Sequence, residues 1–251
     1  LKSNLRLELA KGAELIADTD RAAYPKFPGM IESYDEQGEY NLGTWEGNPL
    51  PMFAGIITGL DVENVLIYGR GTINGNASKE NWWKNPKVMV GAFRPRLFFL
   101  SHCQNVTLCG VTFKNSPSWT LHPYFSDNLK FYGLTINNPS DSPNTDGLDP
   151  ESCKNVDIVG VKFSLGDDCI AVKSGKIYMG KKYRTPSENI HIRQCLMENG
   201  HGAVTVGSEM AGGVRNLHAS KCIFKNTDRG LRIKTRRGRG KDATIEGICF
   251  E

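Results

Sequence analysis

Four short clusters in the second half of the chain carry groups able to do acid–base chemistry on a polar substrate. They are SPNTDGLDP (142–150), LGDDCIAVKSG (165–175), NGHGAVTVGSEM (199–210) and DRGLRIKT (228–235). Among the groups they supply, the carboxylates of Asp146, Asp167 and Asp168, the imidazole of His201 and the cations of Arg232 and Lys234 could meet on one face. A pair of carboxylates can flank a glycosidic bond. One protonates the leaving oxygen and the other acts from the opposite side, with a wider gap leaving room for a water. Crowded carboxylates raise one another's pKa, which keeps one of them protonated near working pH. Each cluster alone is weak. An Asp near a turn is most often a turn or cap residue, and Asp149, Asp157 and Asp228 are read that way. Adjacent acids such as Asp167 and Asp168 point to opposite faces of a flat strand, so both reach one site only where a bend or bulge turns them. The chemistry therefore needs elements that bring four separate clusters to one face.

A repeating strand pattern supplies them. Asn followed by apolar residues at +1 and +3, often with Gly at +5, recurs as NVLIYG (64–69), NVTLCG (105–110), NLKFYG (128–133), NVDIVG (155–160), NIHIRQ (189–194) and NLHASK (216–221). DATIEG (242–247) reads as a weaker last copy. The period-2 alternation and nearby turn residues predict short strands. Strand repeats at this period predict a solenoid. The leucine-rich consensus is missing and a WD-type propeller needs a longer period, so the fold class is all-β, a parallel β-helix with long inserted loops. Neighbouring coils lie about 4.8 Å apart, so clusters one or two coils apart fall about 5–10 Å from each other. The leading Asn residues are expected to stack into a side-chain ladder at a turn. Cys195, Cys222 and Cys249 recur at equal spacing and are expected to form an interior ladder of buried thiols. Seven cysteines exclude a fully paired disulfide framework.

The chain reads as a single domain, 1–251. Residues 1–60 are expected to be irregular and rich in loops, and 61–251 to carry the coils and the active site. ESYDEQGEYNLGTWEGNPLPMFAG (32–55) reads as a long loop, and the stretch from about 75 to 100 as a second excursion. Both are candidates for a wall closing one end of a groove. The chain opens without Met and ends within a strand-like pattern, so it is expected to be a piece of a longer protein. No stretch approaches the roughly 20 apolar residues of a membrane span.

The clusters closely resemble the polygalacturonase family of glycoside hydrolases, family 28. Its signature segments stand here, in order, as Asn144-Thr145-Asp146, Gly166-Asp167-Asp168, Gly200-His201-Gly202 and Arg232-Ile233-Lys234. GSEMAGGVRN and DRGLRIKTRRGRG look more like the bacterial exo-acting members. The resemblance implies a right-handed helix that hydrolyses α-1,4-galacturonosyl linkages of pectin with inversion. It implies Asp167 as general acid, Asp146 and Asp168 as activators of water, and His201 as tuner of their proton balance. Asn144, Arg232 and Lys234 are the implied substrate-binding residues. It implies no cofactor and no metal, a pectic polysaccharide or oligogalacturonide as partner, and a secreted or periplasmic monomer. GTINGN departs from an Asp-Gly version common in the family, and the chain stops before the later coils where members place a further active-site Tyr.

The segment from Arg229 to Lys241 has seven Lys or Arg among thirteen residues and no acid, against a chain net charge of +4. The positive charge is local, which argues for a site. Nucleic-acid binding is disfavoured because interleaved aromatics are missing. Arg232 and Lys234 alternate with Ile233, which is expected to face the core. Arg236, Arg237 and Arg239 are expected to curl over the groove and bind further uronate carboxylates, Arg237 among them as a substrate-binding residue. Two other readings remain: hydrolysis of rhamnogalacturonan or xylogalacturonan, and a carbohydrate-binding β-helix without turnover.

Overall fold

The computed structural model describes residues 1–29 and 42–251. Among them, strands of successive coils stack in parallel into three long sheets. The first has eight strands, from Arg6–Leu9 to Ile245–Phe250, and the second seven, from Glu14–Ile16 to Ile223–Lys225. The third runs from Ile57–Leu60 through Phe98–Ser101 to Leu121–Tyr124. Parallel bridges Leu121↔Leu148↔Ile170 then carry it on to Val204–Gly207 and Leu231–Lys234. A coil is one strand of each sheet in turn, the arrangement of a parallel β-helix.

Strict alternation drives the packing. In the first sheet Val65, Val106, Leu129, Val156, Ile190 and Leu217 fall on one inward row. In the second, Ile73, Phe113, Ile136, Phe163 and Met197 do the same. Each such side chain contributes about 1.5–3 kcal/mol by burial.

The Asn ladder is present. Asn64, Asn105, Asn128, Asn155, Asn189 and Asn216 all adopt left-handed backbone, with φ between 52° and 58°, a conformation Asn tolerates better than most residues. Each amide donates one coil back: Asn105 to Asn64 at 3.1 Å, Asn128 to Asn105 at 2.6 Å, Asn189 to Asn155 at 3.0 Å and Asn216 to Asn189 at 3.2 Å. Asn155 donates to Asp127 instead, at 2.8 Å.

Four expectations change. Residues 6–16 are regular: their strands add to the first two sheets, and Asn4 (φ 60°) accepts from Asn64 at 3.0 Å. DATIEG is out of register, because Gly247 (φ 65°), not Asp242, pairs at the Asn position opposite Asn216. This moves Cys249 opposite His218 on the outer face, where it is exposed. Of the three cysteines expected to stack, Cys195 (buried) and Cys222 (half-buried) share a ladder, continuing the row Val111, Leu134, Val161, and all seven cysteines are free thiols. Ile233 lies in register with buried Val206 but is 53% exposed, because no described strand pairs beyond it. The excursion around Trp82 and Trp83 forms a separate small core with Phe53, Ala77 and Ala92.

Candidate active site

The outward face of the third sheet forms the floor of a groove. Register places His122, Asp149, Ala171, Thr205 and Arg232 on one row, and Tyr124, Glu151, Lys173, Gly207 and Lys234 on the next. Just before these strands, Asp146 and Asp168 stand two residues ahead of the bridged pair Leu148 and Ile170, so they occupy one position in successive coils. The backbone bond Gly147 N to Asp168 O, 3.0 Å, fixes that stacking. One oxygen each of Asp146, Asp167 and Asp168 lies within 4.8 Å of the other two. The chain bends between Asp167 and Asp168, whose own N–H donates back to Asp167 Oδ1 at 3.0 Å. That bend sends both side chains to the groove.

His201 reaches the same place from the next coil, with Nδ1 3.2 Å from Asp167 Oδ1. The glycines around it are sterically required. Gly200 has φ 82°, and a Cβ there would strike the Asp167 carbonyl. A Cβ on Gly202 would sit 2.7 Å from Asp168 Oδ1. Arg232 Nη1 lies 3.2 Å from Asp168 Oδ1. Lys234 is exposed, lines the groove and has no ion pair among the described residues. Asn144 lines it too, its Oδ1 accepting from Arg94 at 2.7 Å.

Buried charges of the floor and wall set the electrostatics. Lys173 is buried, with Nζ 3.0 Å from Glu209 Oε2 and 3.8 Å from Asp146 Oδ2, and it lies 4.4 Å from the centre of the Trp119 ring. Burial disfavours its charge, but Glu209, Asp149, Asp146 and Asp168 more than reverse this and hold its pKa well above the usual value. The same contact overcomes burial at Glu209 and lowers it to about 2. Asp146 is pushed well up by burial and then by Asp149 and Asp167. Asp167 is raised by burial and by Asp168. Asp149 is fully buried with neither oxygen hydrogen-bonded, and burial raises it well above the carboxylate range. It is thus no exposed turn residue. Lys173, Glu209, Glu151 and Asp149 escaped the sequence reading. For three of them the available signal was the i, i+2 spacing of Asp149 to Glu151 and of Ala171 to Lys173, which puts them on one face of an extended chain.

The segment 42–48 borders the groove, with Glu46 in its lining. Trp45 stacks on Phe93 (4.7 Å, 8°), and Arg96 donates to the Thr44 carbonyl at 3.2 Å. The Gly47 carbonyl accepts from Lys176 N at 2.9 Å. Residues 32–41 of the predicted long loop lie outside the described residues. The groove wall also carries Lys176, Ser208, Glu209, Arg236 and Arg239. Arg239 is buried and donates through Nε to the Ser208 carbonyl. Arg237 does not line this groove; it faces a second cavity beside the short helix α1 (Ile177–Tyr183). The groove encloses about 410 Å³.

Two groups among the described residues bring candidate metal ligands within 4.8 Å: the three groove aspartates, and His218, Cys249 and Glu251 on the outer face of the last strand. In the groove, Lys173 and Arg232 already supply positive charge to Asp146 and Asp168.

Comparison with known proteins agrees with this architecture. Residues 37–251 match the model of glycosyl hydrolases family 28. A probable polygalacturonase of Vitis vinifera is 34% identical over the whole chain, covering 50% of that protein. An endo-polygalacturonase of Pectobacterium carotovorum subsp. carotovorum is 33% identical over 94% of the chain and 56% of its own length. Among solved structures, the hyperthermoactive exopolygalacturonase of Thermotoga maritima superposes with a TM-score of 0.80 at 30% identity, over 96% of this chain and 59% of that one. The chain belongs to glycosyl hydrolases family 28, and its fold is a right-handed parallel β-helix. It spans about half the length of the curated relatives it matches.

Proposed function

We propose that the protein carrying this chain hydrolyses α-1,4-galacturonosyl linkages of polygalacturonate, acting from a chain end. The observation that carries this is the convergence of Asp146, Asp167 and Asp168 from neighbouring coils within 4.8 Å, with His201 at Asp167 while Lys173 and Arg232 stand at Asp146 and Asp168. Asp167, protonated at a higher pH than an ordinary Asp, gives its proton to the glycosidic oxygen as the C1–O bond breaks. Asp146 and Asp168, stacked on one ladder position, hold a water between them. Asp168, ion-paired with Arg232, takes the water's proton as the water's oxygen bonds to C1, and Asp146 orients the water. Lys234 and Arg232 meet a galacturonate carboxylate beside the cut bond, a charge-assisted contact suited to uronic acids. Attack by water implies inversion. The carboxylate spacing is tighter than two-carboxylate inverting enzymes use, so stereochemistry is the sharper test.

Chain-end action is supported by the segment 42–48, whose Glu46 lines the groove together with Asp146 and whose Gly47 carbonyl is bonded to Lys176 N, a position from which it could bound the substrate chain. A polymeric wall substrate also places the enzyme outside the cytoplasm. The decisive experiment incubates the full-length protein with polygalacturonate and with rhamnogalacturonan. It follows reducing ends and records the first-formed anomer by NMR. Release of β-anomeric product from polygalacturonate supports the reading. Failure to cut polygalacturonate overturns it, and an α-anomeric first product overturns the single-displacement route.

A further inference from the structure

A second cavity of about 560 Å³ opens between α1 and the loop 237–242, behind the groove wall. Lys181 and Arg184 face it from α1, and Arg237, Arg239 and Lys241 from the loop, against one acid, Asp242. Lys181, Arg184, Arg237 and Lys241 have no ion pair among the described residues. The cavity is built rather than accidental. The loop is pinned by buried Arg239, which donates to the Ser208 carbonyl. Gly240 (φ 89°) lies so close to Ile177 of α1 that a Cβ would meet its Cδ1 at 2.6 Å. Arg239 also lines the groove, so the two spaces share one side chain. Like charges gathered without partners create a local potential that an anion relieves. Two of the cations are exposed arginines whose planar forks match carboxylates.

We infer that this cavity is a second binding site for galacturonate carboxylates, holding a stretch of the polymer outside the cleft where the bond is cut. The inference rests on the polygalacturonate reading above. It explains why Arg237 belongs to the same loop as the groove cations yet faces away from the groove.

The test measures binding, so that turnover is not its readout. In an Asp167→Asn background, the double change Lys181→Gln/Arg184→Gln neutralises two exposed cations that line only this cavity. Affinity for polygalacturonate is expected to fall about threefold to tenfold, and the difference should shrink in high salt. Affinity for digalacturonate, short enough to occupy the cleft alone, should stay unchanged. Arg237→Gln should act in the same direction. Equal polymer affinity in parent and double variant overturns the inference. So does an equal loss for dextran sulfate, which would mark general attraction of polyanions, or an equal loss for the dimer, which would place these residues in the cleft. Absence of turnover by the unmutated protein would count against the hydrolase reading separately.

Discussion

Lys173 is the residue on which the groove's charge balance turns. Its ammonium is buried among Glu209, Asp149 and Asp146, and it is the cation nearest the carboxylates from below. Lys173→Met keeps the volume but leaves the Glu209 carboxylate buried and unpaired. We expect a loss of about 3–5 kcal/mol of stability, read as a lowered urea midpoint. Asp167→Asn keeps the shape and removes the transferable proton. It should lower kcat about 10²–10⁴-fold with little change in KM, and a smaller loss measured on polygalacturonate would argue for another acid. Glu151 gives a pH prediction. Arg96 Nε donates to His122 Nδ1 at 3.3 Å, so His122 carries its proton on Nε2 and donates it to Glu151 at 2.8 Å. Burial, then Glu209, still lifts Glu151 to about 7 from its ordinary 4.5. A folded pKa above the unfolded one gives stability that is complete below about pH 4.5 and lost as pH rises to about 7. The loss is on the order of 3 kcal/mol. Glu151→Gln should flatten the fall in Tm over that range, and an unchanged slope would refute the assignment. The groups proposed to react were readable in the sequence because Asp146, Asp167, Asp168 and His201 sit in short motifs with glycines that the geometry requires. Lys173 and Asp149 were not, because a lone charge in a strand reveals its burial only when its cover is known. Here part of the cover of Lys173 is Glu209, which comes from a distant segment.

At the scale of the element, the Asn turn does two things at once: it tolerates positive φ and it bonds to the coil before. Asn189 accepts from Asn216 and donates to Asn155. Asn189→Ala loses both bonds and strains the backbone at φ 57°. It should cost about 1–3 kcal/mol in chemical denaturation, with Asn189→Gly recovering the conformational part. An Ala variant as stable as the parent would mean the ladder is decorative. This element was legible wherever Asn and the apolar alternation coincide. It was lost at both ends for different reasons. NLRLEL at residues 4–9 follows the pattern but stands 60 residues before the next copy, at Asn64, instead of one coil. At Gly247 the turn keeps its backbone while dropping its marker side chain.

For the molecule as a whole, the segment 42–48 predicts the product pattern. Monogalacturonate should appear from the outset with the unmutated enzyme. Trp45→Ala, which removes the stack on Phe93, should loosen the barrier and add longer oligomers to the early products, as resolved by anion-exchange chromatography. A ladder of oligomers from the unmutated protein would instead mark mid-chain cutting. One more consequence comes from the stacked position shared by Asp146 and Asp168. Their separation is inherited from main-chain bonds between coils, Gly147 to Asp168 and Leu148 to Cys169, at 3.0 and 3.1 Å. The backbone offset between them therefore changes only in whole steps of about 4.8 Å, as if the scaffold were a notched rule. Finer adjustment of the two carboxylates is left to side-chain length and rotamer, and a coarser one requires a carboxylate from another coil.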